Sequence, residues 1–159
     1  MIVKEINIKW EKKGYSLVEL MVVIALLSIL AATVIPVAKV SIKRAKEIEL
    51  HRNLRIIRNA IDGYKELADS NMIEVKHGTE GYPPDLEYLV DGVKLLNQAD
   101  KIIKFLRRIP RDPMTNSTDW GLRSYQDDPD STTWGRQNVY DVYSKSREKA
   151  LNGTWYKDW

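Results

Sequence analysis

The 159-residue chain contains no cysteine, so the disulfides that commonly stabilise a small exported domain are excluded. A cysteine nucleophile is excluded with them. The two histidines, His51 and His77, stand in polar contexts, and no glycine-rich phosphate loop is present. His51 falls on a charged helical stretch without a second ligand at metal-site spacing, so it reads as a surface residue. No catalytic set emerges from these residues, which points to a structural protein and not to an enzyme. An excess of charge is also missing. The formal net charge is +3, but four of the 25 basic and two of the 22 acidic residues precede Tyr15, leaving 21 against 20. That near-neutral remainder argues against a nucleic-acid-binding surface, despite a sequence pI near 9.0.

The most informative absence is local. Residues 20–38 carry no charge, and at about 1.5 Å per residue such a helix is roughly as long as a bilayer's hydrocarbon core is thick. Lys4, Lys9, Lys12 and Lys13 precede it, which predicts a cytoplasmic amino terminus and places the larger domain across the membrane. An ordinary signal peptide has a shorter apolar core followed by small residues at its cleavage site. Glu19 stands at the edge of the apolar run, where an unpaired carboxylate is costly. Two readings remain open on physical grounds: a functional group awaiting a partner, or a headgroup-depth residue paired with water or Lys13.

Beyond the apolar run, Leu50, Leu54, Ile57, Ile61 and Tyr64 advance by four, three, four and three residues, with Ile56, Ala60, Leu67 and Ala68 widening the stripe. The charged residues between them fill the other faces. The spacing predicts one helix over about residues 15–69, bent at Pro36, whose missing N–H removes one helical hydrogen bond. Residues 70–81 read as a loop. Pro83 and Pro84 introduce a short helix with proline in its first turn, and residues 101–109 form a strand or a helix stub. Val139-Tyr140-Asp141-Val142-Tyr143-Ser144 alternates as a strand does, and the aromatic residues 150–159 fold back onto the domain. Trp120, Tyr125, Trp134, Trp155, Tyr156 and Trp159 read mainly as core.

Lys13-Gly14-Tyr15-Ser16-Leu17-Val18-Glu19-Leu20-Met21-Val22-Val23-Ile24 resembles the leader junction of type IV pilins and type II secretion pseudopilins. In that family glycine is followed by an aromatic residue, a hydroxyl residue, two aliphatic residues, glutamate and an apolar run. Tyr15 and Ser16 stand where phenylalanine and threonine are usual, and Pro36 occupies the position of a helix-kinking proline. The resemblance implies cleavage between Gly14 and Tyr15 by prepilin peptidase, N-methylation of Tyr15, and pairing of Glu19 with the Tyr15 ammonium of a neighbouring subunit.

A second set of segments resembles the major, G-type pseudopilin of type II secretion. It comprises Gly81-Tyr82-Pro83 with Leu86 and Leu89, then Leu106-Arg107-Arg108-Ile109-Pro110-Arg111-Asp112-Pro113, then Tyr140-Asp141-Val142-Tyr143-Ser144. The chain departs from that pattern where Met114 to Thr118 intervene before Trp120-Gly121. The expected fold is therefore α+β and type IV pilin-like, with a long N-terminal helix packed against a small β-containing head. Residues 1–14 are the expected leader, 15–38 the transmembrane and filament-core helix, 39–69 its continuation and 70–159 the periplasmic head. The resemblance implies an inner-membrane subunit that polymerises into a periplasmic filament with minor pseudopilins, an assembly platform protein and an ATPase. A type IV pilin for adhesion, twitching or DNA uptake is the alternative within the family, and a membrane-anchored enzyme or binding domain the alternative outside it. Asp127, Asp128, Asp130 and Asp141 form an oxygen-rich set suited to calcium, a metal that the G-type resemblance also implies.

Overall fold

A computed structural model describes residues 14–96 and 98–159. The first element, α1, runs Leu17–Asp69. It is followed by a short helix α2 (Glu87–Asp91), strands β1 (Val93–Leu95), β2 (Gln98–Ile103), β3 (Gly121–Arg123) and β4 (Asp141–Tyr143), and a 3₁₀ turn at Tyr156–Asp158. The chain divides into two compact units, one ending at Val40 and the other Ser41–Trp159. The fold is α+β and type IV pilin-like: a long N-terminal helix followed by small antiparallel sheets.

In the unit ending at Val40, α1 is apolar on every side and continues through Pro36. The second unit, hereafter the head, is built on the helical stripe. Leu50, Leu54, Ile57, Ile61 and Tyr64 are all buried and form one core with Leu89, Leu106, Trp120, Val139, Val142 and Tyr156. Burying a stripe at helical spacing is what fixes this stretch of α1, since propensity alone leaves isolated helices marginal. Ile56 departs from the expected stripe: it is 38% exposed, because it falls on the flank away from the core.

Two antiparallel pairs cover the stripe. β1 pairs with β2 (Val93↔Ile103, Lys94↔Ile102), and β3 pairs with β4 (Gly121↔Tyr143, Leu122↔Val142, Arg123↔Asp141). Gly121 is required by its partner, because a Cβ there would overlap the Tyr143 ring. Gly92 ends α2 at φ 87°, and a Cβ there would crowd the Ile103 carbonyl. The helix expected near Pro83 begins later, at Glu87. The prolines precede it, and the Asp85 carboxylate accepts the Tyr88 N–H at 3.1 Å. The strand-or-stub region resolves into β2 followed by an irregular strip, held where the Leu89 carbonyl accepts the N–H groups of Phe105 (3.0 Å) and Leu106 (2.8 Å).

The stretch between Pro113 and Trp120 closes on Asp112, which is fully buried. The Asp112 N–H donates to the Ser117 carbonyl (2.7 Å), while its carboxylate accepts the Met114 N–H (2.8 Å) and the Ser144 hydroxyl (2.6 Å). Every buried side-chain polar atom among the described residues has a hydrogen-bond partner, as a stable interior requires. Trp120 and Tyr156 belong to the core as expected, whereas Tyr125 (57%) and Trp155 (41%) are exposed. Leu54→Ala, which opens a cavity at the centre of the stripe, should lower unfolding stability by about 2–5 kcal/mol in denaturant titration of the full chain. A loss under about 1 kcal/mol would show that the stripe does not carry the core.

Candidate functional site

Gly14, Tyr15 and Ser16 precede the first turn of α1, and Tyr15 is 78% exposed. Residues 1–13, Lys13 and most of the expected leader 1–14 among them, lie outside the described residues. Ser16 caps the helix: its hydroxyl oxygen accepts the Val18 N–H at 3.3 Å and its carbonyl the Leu20 N–H at 3.1 Å. Glu19 follows at the third helical position, where a carboxylate is favoured by the helix dipole. It has no ion pair or hydrogen bond with a described residue, so its carboxylate is available to another chain. From Leu17 to Val40 the apolar side chains are turned outward; Leu17, Met21, Ile24, Leu27 and Leu30 are each more than half exposed. This segment is long and apolar enough to cross a membrane.

The head presents a second arrangement that the sequence concealed. Lys43, Glu47, His51 and Arg58 lie along one flank of α1 and hold the last eleven residues. The Lys43 ammonium donates to the Lys149 carbonyl (2.6 Å), and Glu47 Oε1 accepts both the Leu151 N–H (2.8 Å) and the Tyr156 hydroxyl (2.9 Å). His51 stacks on Trp159 with centroids 4.1 Å apart. Arg58 donates to the Asp141 carboxylate (2.7 Å), the Val142 carbonyl (3.2 Å) and the Trp159 main-chain oxygen (2.8 Å). Burial first, and then the Glu47 hydrogen bond, push the Tyr156 hydroxyl well above its ordinary pKa of 10.0. The signal that could have revealed this flank is the four-residue spacing of Lys43, Glu47 and His51, but such a row on a charged helix is also what a solvated face looks like.

The four aspartates do not converge. Asp141 lies between two guanidinium groups, with Arg123 at 3.5 Å on its other oxygen. Asp127 Oδ2 accepts the N–H groups of Ser124 (2.7 Å) and Gly135 (3.0 Å), and these bonds hold its pKa below the usual value. Asp127 and Asp141 line one cleft with Arg123, whereas Asp128 and Asp130 are exposed and do not line it. Among the described residues no three acidic or imidazole groups come together as a metal site. As placed, Asp127, Asp128, Asp130 and Asp141 are not gathered into one ligand set, and Asp141 is paired with Arg58 and Arg123.

Two outcomes follow for the full chain in detergent. Added calcium should leave its melting temperature unchanged, and a saturable rise would reassign the aspartates as ligands. The raised Tyr156 pKa means that the folded state keeps a proton the unfolded chain releases. Its contribution is therefore complete below about pH 10 and is lost as pH rises further. Tyr156→Phe should cost about 1–2 kcal/mol at neutral pH. The difference from the unaltered chain should shrink above about pH 10, and a pH-independent difference would contradict the role given to this hydroxyl.

Comparison with family models matched residues 11–35 to the prokaryotic N-terminal methylation motif. Neither the curated proteins nor the solved structures gave a match. The matched residues cover the Gly14–Tyr15 junction, Glu19 and the apolar start of α1, and leave the head outside the motif. The N-terminal segment thus carries the mark of a type IV pilin-like substrate of prepilin peptidase.

Proposed function

We propose that this chain is a structural pilin-like subunit that polymerises into the periplasmic pseudopilus of a type II secretion system after cleavage following Gly14. The observation that carries the reading is a coincidence: the methylation motif falls on a helix whose apolar side chains are unburied in the single chain. Such a surface must be covered by lipid before assembly and by sister helices after it. Cleavage creates an amino group on Tyr15 at the edge of that apolar surface, and methylation keeps it basic. In the dry filament core a lone ammonium is costly, and Glu19 of a neighbouring subunit is its counter-charge. The pair sets the register between subunits and performs no chemistry.

Before assembly the subunit is anchored in the inner membrane, its amino terminus cytoplasmic and its head periplasmic, in keeping with the basic residues ahead of the apolar run. Its partners are further copies of itself, prepilin peptidase, minor pseudopilins, the platform protein and the assembly ATPase. The secretion reading over a surface pilus is supported by the order of the Gly81-Tyr82-Pro83, Asp112-Pro113 and Tyr140–Ser144 segments and by the lack of cysteine. A head closed by Glu47 and Arg58 has no need of the disulfide that closes many type IV pilins.

Co-expression with a prepilin peptidase should shorten the chain by its leader and leave N-methyltyrosine at residue 15. An unprocessed product would remove the basis of the proposal. Glu19→Ala should be processed normally yet fail to assemble, since a one-sided deletion leaves a buried charge worth about 3–5 kcal/mol. Filaments at unaltered yield would rule out charge pairing.

A further inference from the structure

One charged surface on the head is used neither by the tail nor by the core. Arg52 on α1 and Arg107, Arg108 and Arg111 on the strip after β2 line one open cleft of about 870 Å³, with Glu49 the one carboxylate in its wall. The strip is held in place: Asn53 Nδ2 donates to the Arg111 carbonyl (2.9 Å), and Leu106 is buried behind it. Arg111 is tied to Asn116 (3.1 Å), whereas Arg52, Arg107 and Arg108 are exposed and have no hydrogen bond or ion pair with a described residue. Planar guanidinium groups on a fixed backbone suit the recognition of carboxylates.

A matching surface occurs on the same chain. In the loop Asp127-Asp128-Pro129-Asp130, Asp127 is used internally to hold Ser124 and Gly135, but Asp128 and Asp130 are exposed and their side chains have no described partner. Pro129 stiffens the backbone between them. None of the loop's residues lines the cleft. At 3.6 residues per turn, Arg52 and Ile56 fall on one flank of the buried stripe, and Glu47, His51 and Arg58 on the opposite flank. The loop belongs with the latter side, because Arg123, which precedes it, shares Asp141 with Arg58.

We infer that the arginine cleft of one subunit receives the Asp128–Asp130 loop of a second copy. The two surfaces differ, so the contact is head-to-tail; each copy that docks presents a fresh cleft and a fresh loop, and the contact propagates instead of closing as a symmetric dimer would. Solvent-exposed charge pairs of this kind select partner and register more than they add affinity. The inference rests on the filament reading above and names the head surfaces that would meet in it.

The absence of native cysteine makes the contact testable in the full-length, processed chain. A chain carrying both Arg108→Cys and Asp128→Cys should form a disulfide ladder of dimers, trimers and higher species on oxidation of sheared filaments, while either single variant should not. The charge reversals Arg107→Glu with Arg108→Glu, or Asp128→Arg with Asp130→Arg, should each lower filament yield about tenfold, and combining them should restore most of it. If the reversals unfold the head, restoration fails but the cysteine pair still ladders, which upholds the contact. Filaments unaffected by either reversal and lacking a ladder overturn it and leave the filament reading standing. Failure of the unaltered chain to form filaments overturns that reading itself.

Discussion

One carboxylate oxygen, Glu47 Oε1, accepts both the Leu151 amide and the Tyr156 hydroxyl, and the closed form of the head depends on it. Around it, Lys43, His51 and Arg58 fasten the same tail to α1 at Lys149 and Trp159. A domain without cysteine must close its last segment by non-covalent means, and a helix offers a row of side chains at four-residue spacing for the purpose. The docked tail places Tyr156 in the apolar core. Arg58 then connects the tail to β4 through Asp141, and Arg123 extends the connection to Ser131 at 3.0 Å and to Lys157 at 3.1 Å. Asp141 is thus the centre of an arginine network.

The parts of this architecture that were legible in the sequence are those governed by periodicity and by uncharged length. Leu50, Leu54, Ile57, Ile61 and Tyr64 declared a buried stripe because apolar residues at helical spacing have few other uses. The uncharged run through residues 20–38 declared itself by length alone, and β4 by alternation. Glu47, His51 and Arg58 were not legible, since their partners lie about a hundred residues away and a charged helix flank reads the same whether solvated or docked. The Asp127 to Asp141 set was only partly legible for the converse reason. Composition suggested a ligand cluster, but backbone N–H groups and arginines had already satisfied two of its members. Ile56 was assigned to the stripe because its spacing nearly fits, although its side chain faces the arginine cleft instead.

The two units of the chain have opposite surface requirements. In the unit ending at Val40, apolar side chains are exposed, and lipid or sister helices must cover them. In the head, the apolar stripe is internally satisfied, and the free surface includes arginines in one cleft and aspartates on one loop. A filament built from such subunits would take its cohesion from the first unit and its register from charges: Glu19 with the Tyr15 amine within the apolar core, and the arginine cleft with the aspartate loop outside it.

The central claim is that sister helices cover the apolar surface of Leu17 to Val40 in the assembled state. Electron cryomicroscopy of sheared filaments tests it most directly. Density in which these residues bundle along the filament axis, with Glu19 beside the Tyr15 amine of another subunit and the heads outermost, is the predicted result. Filaments whose axis is built from the heads, or chains that remain monomeric in the membrane under assembly conditions, would contradict it.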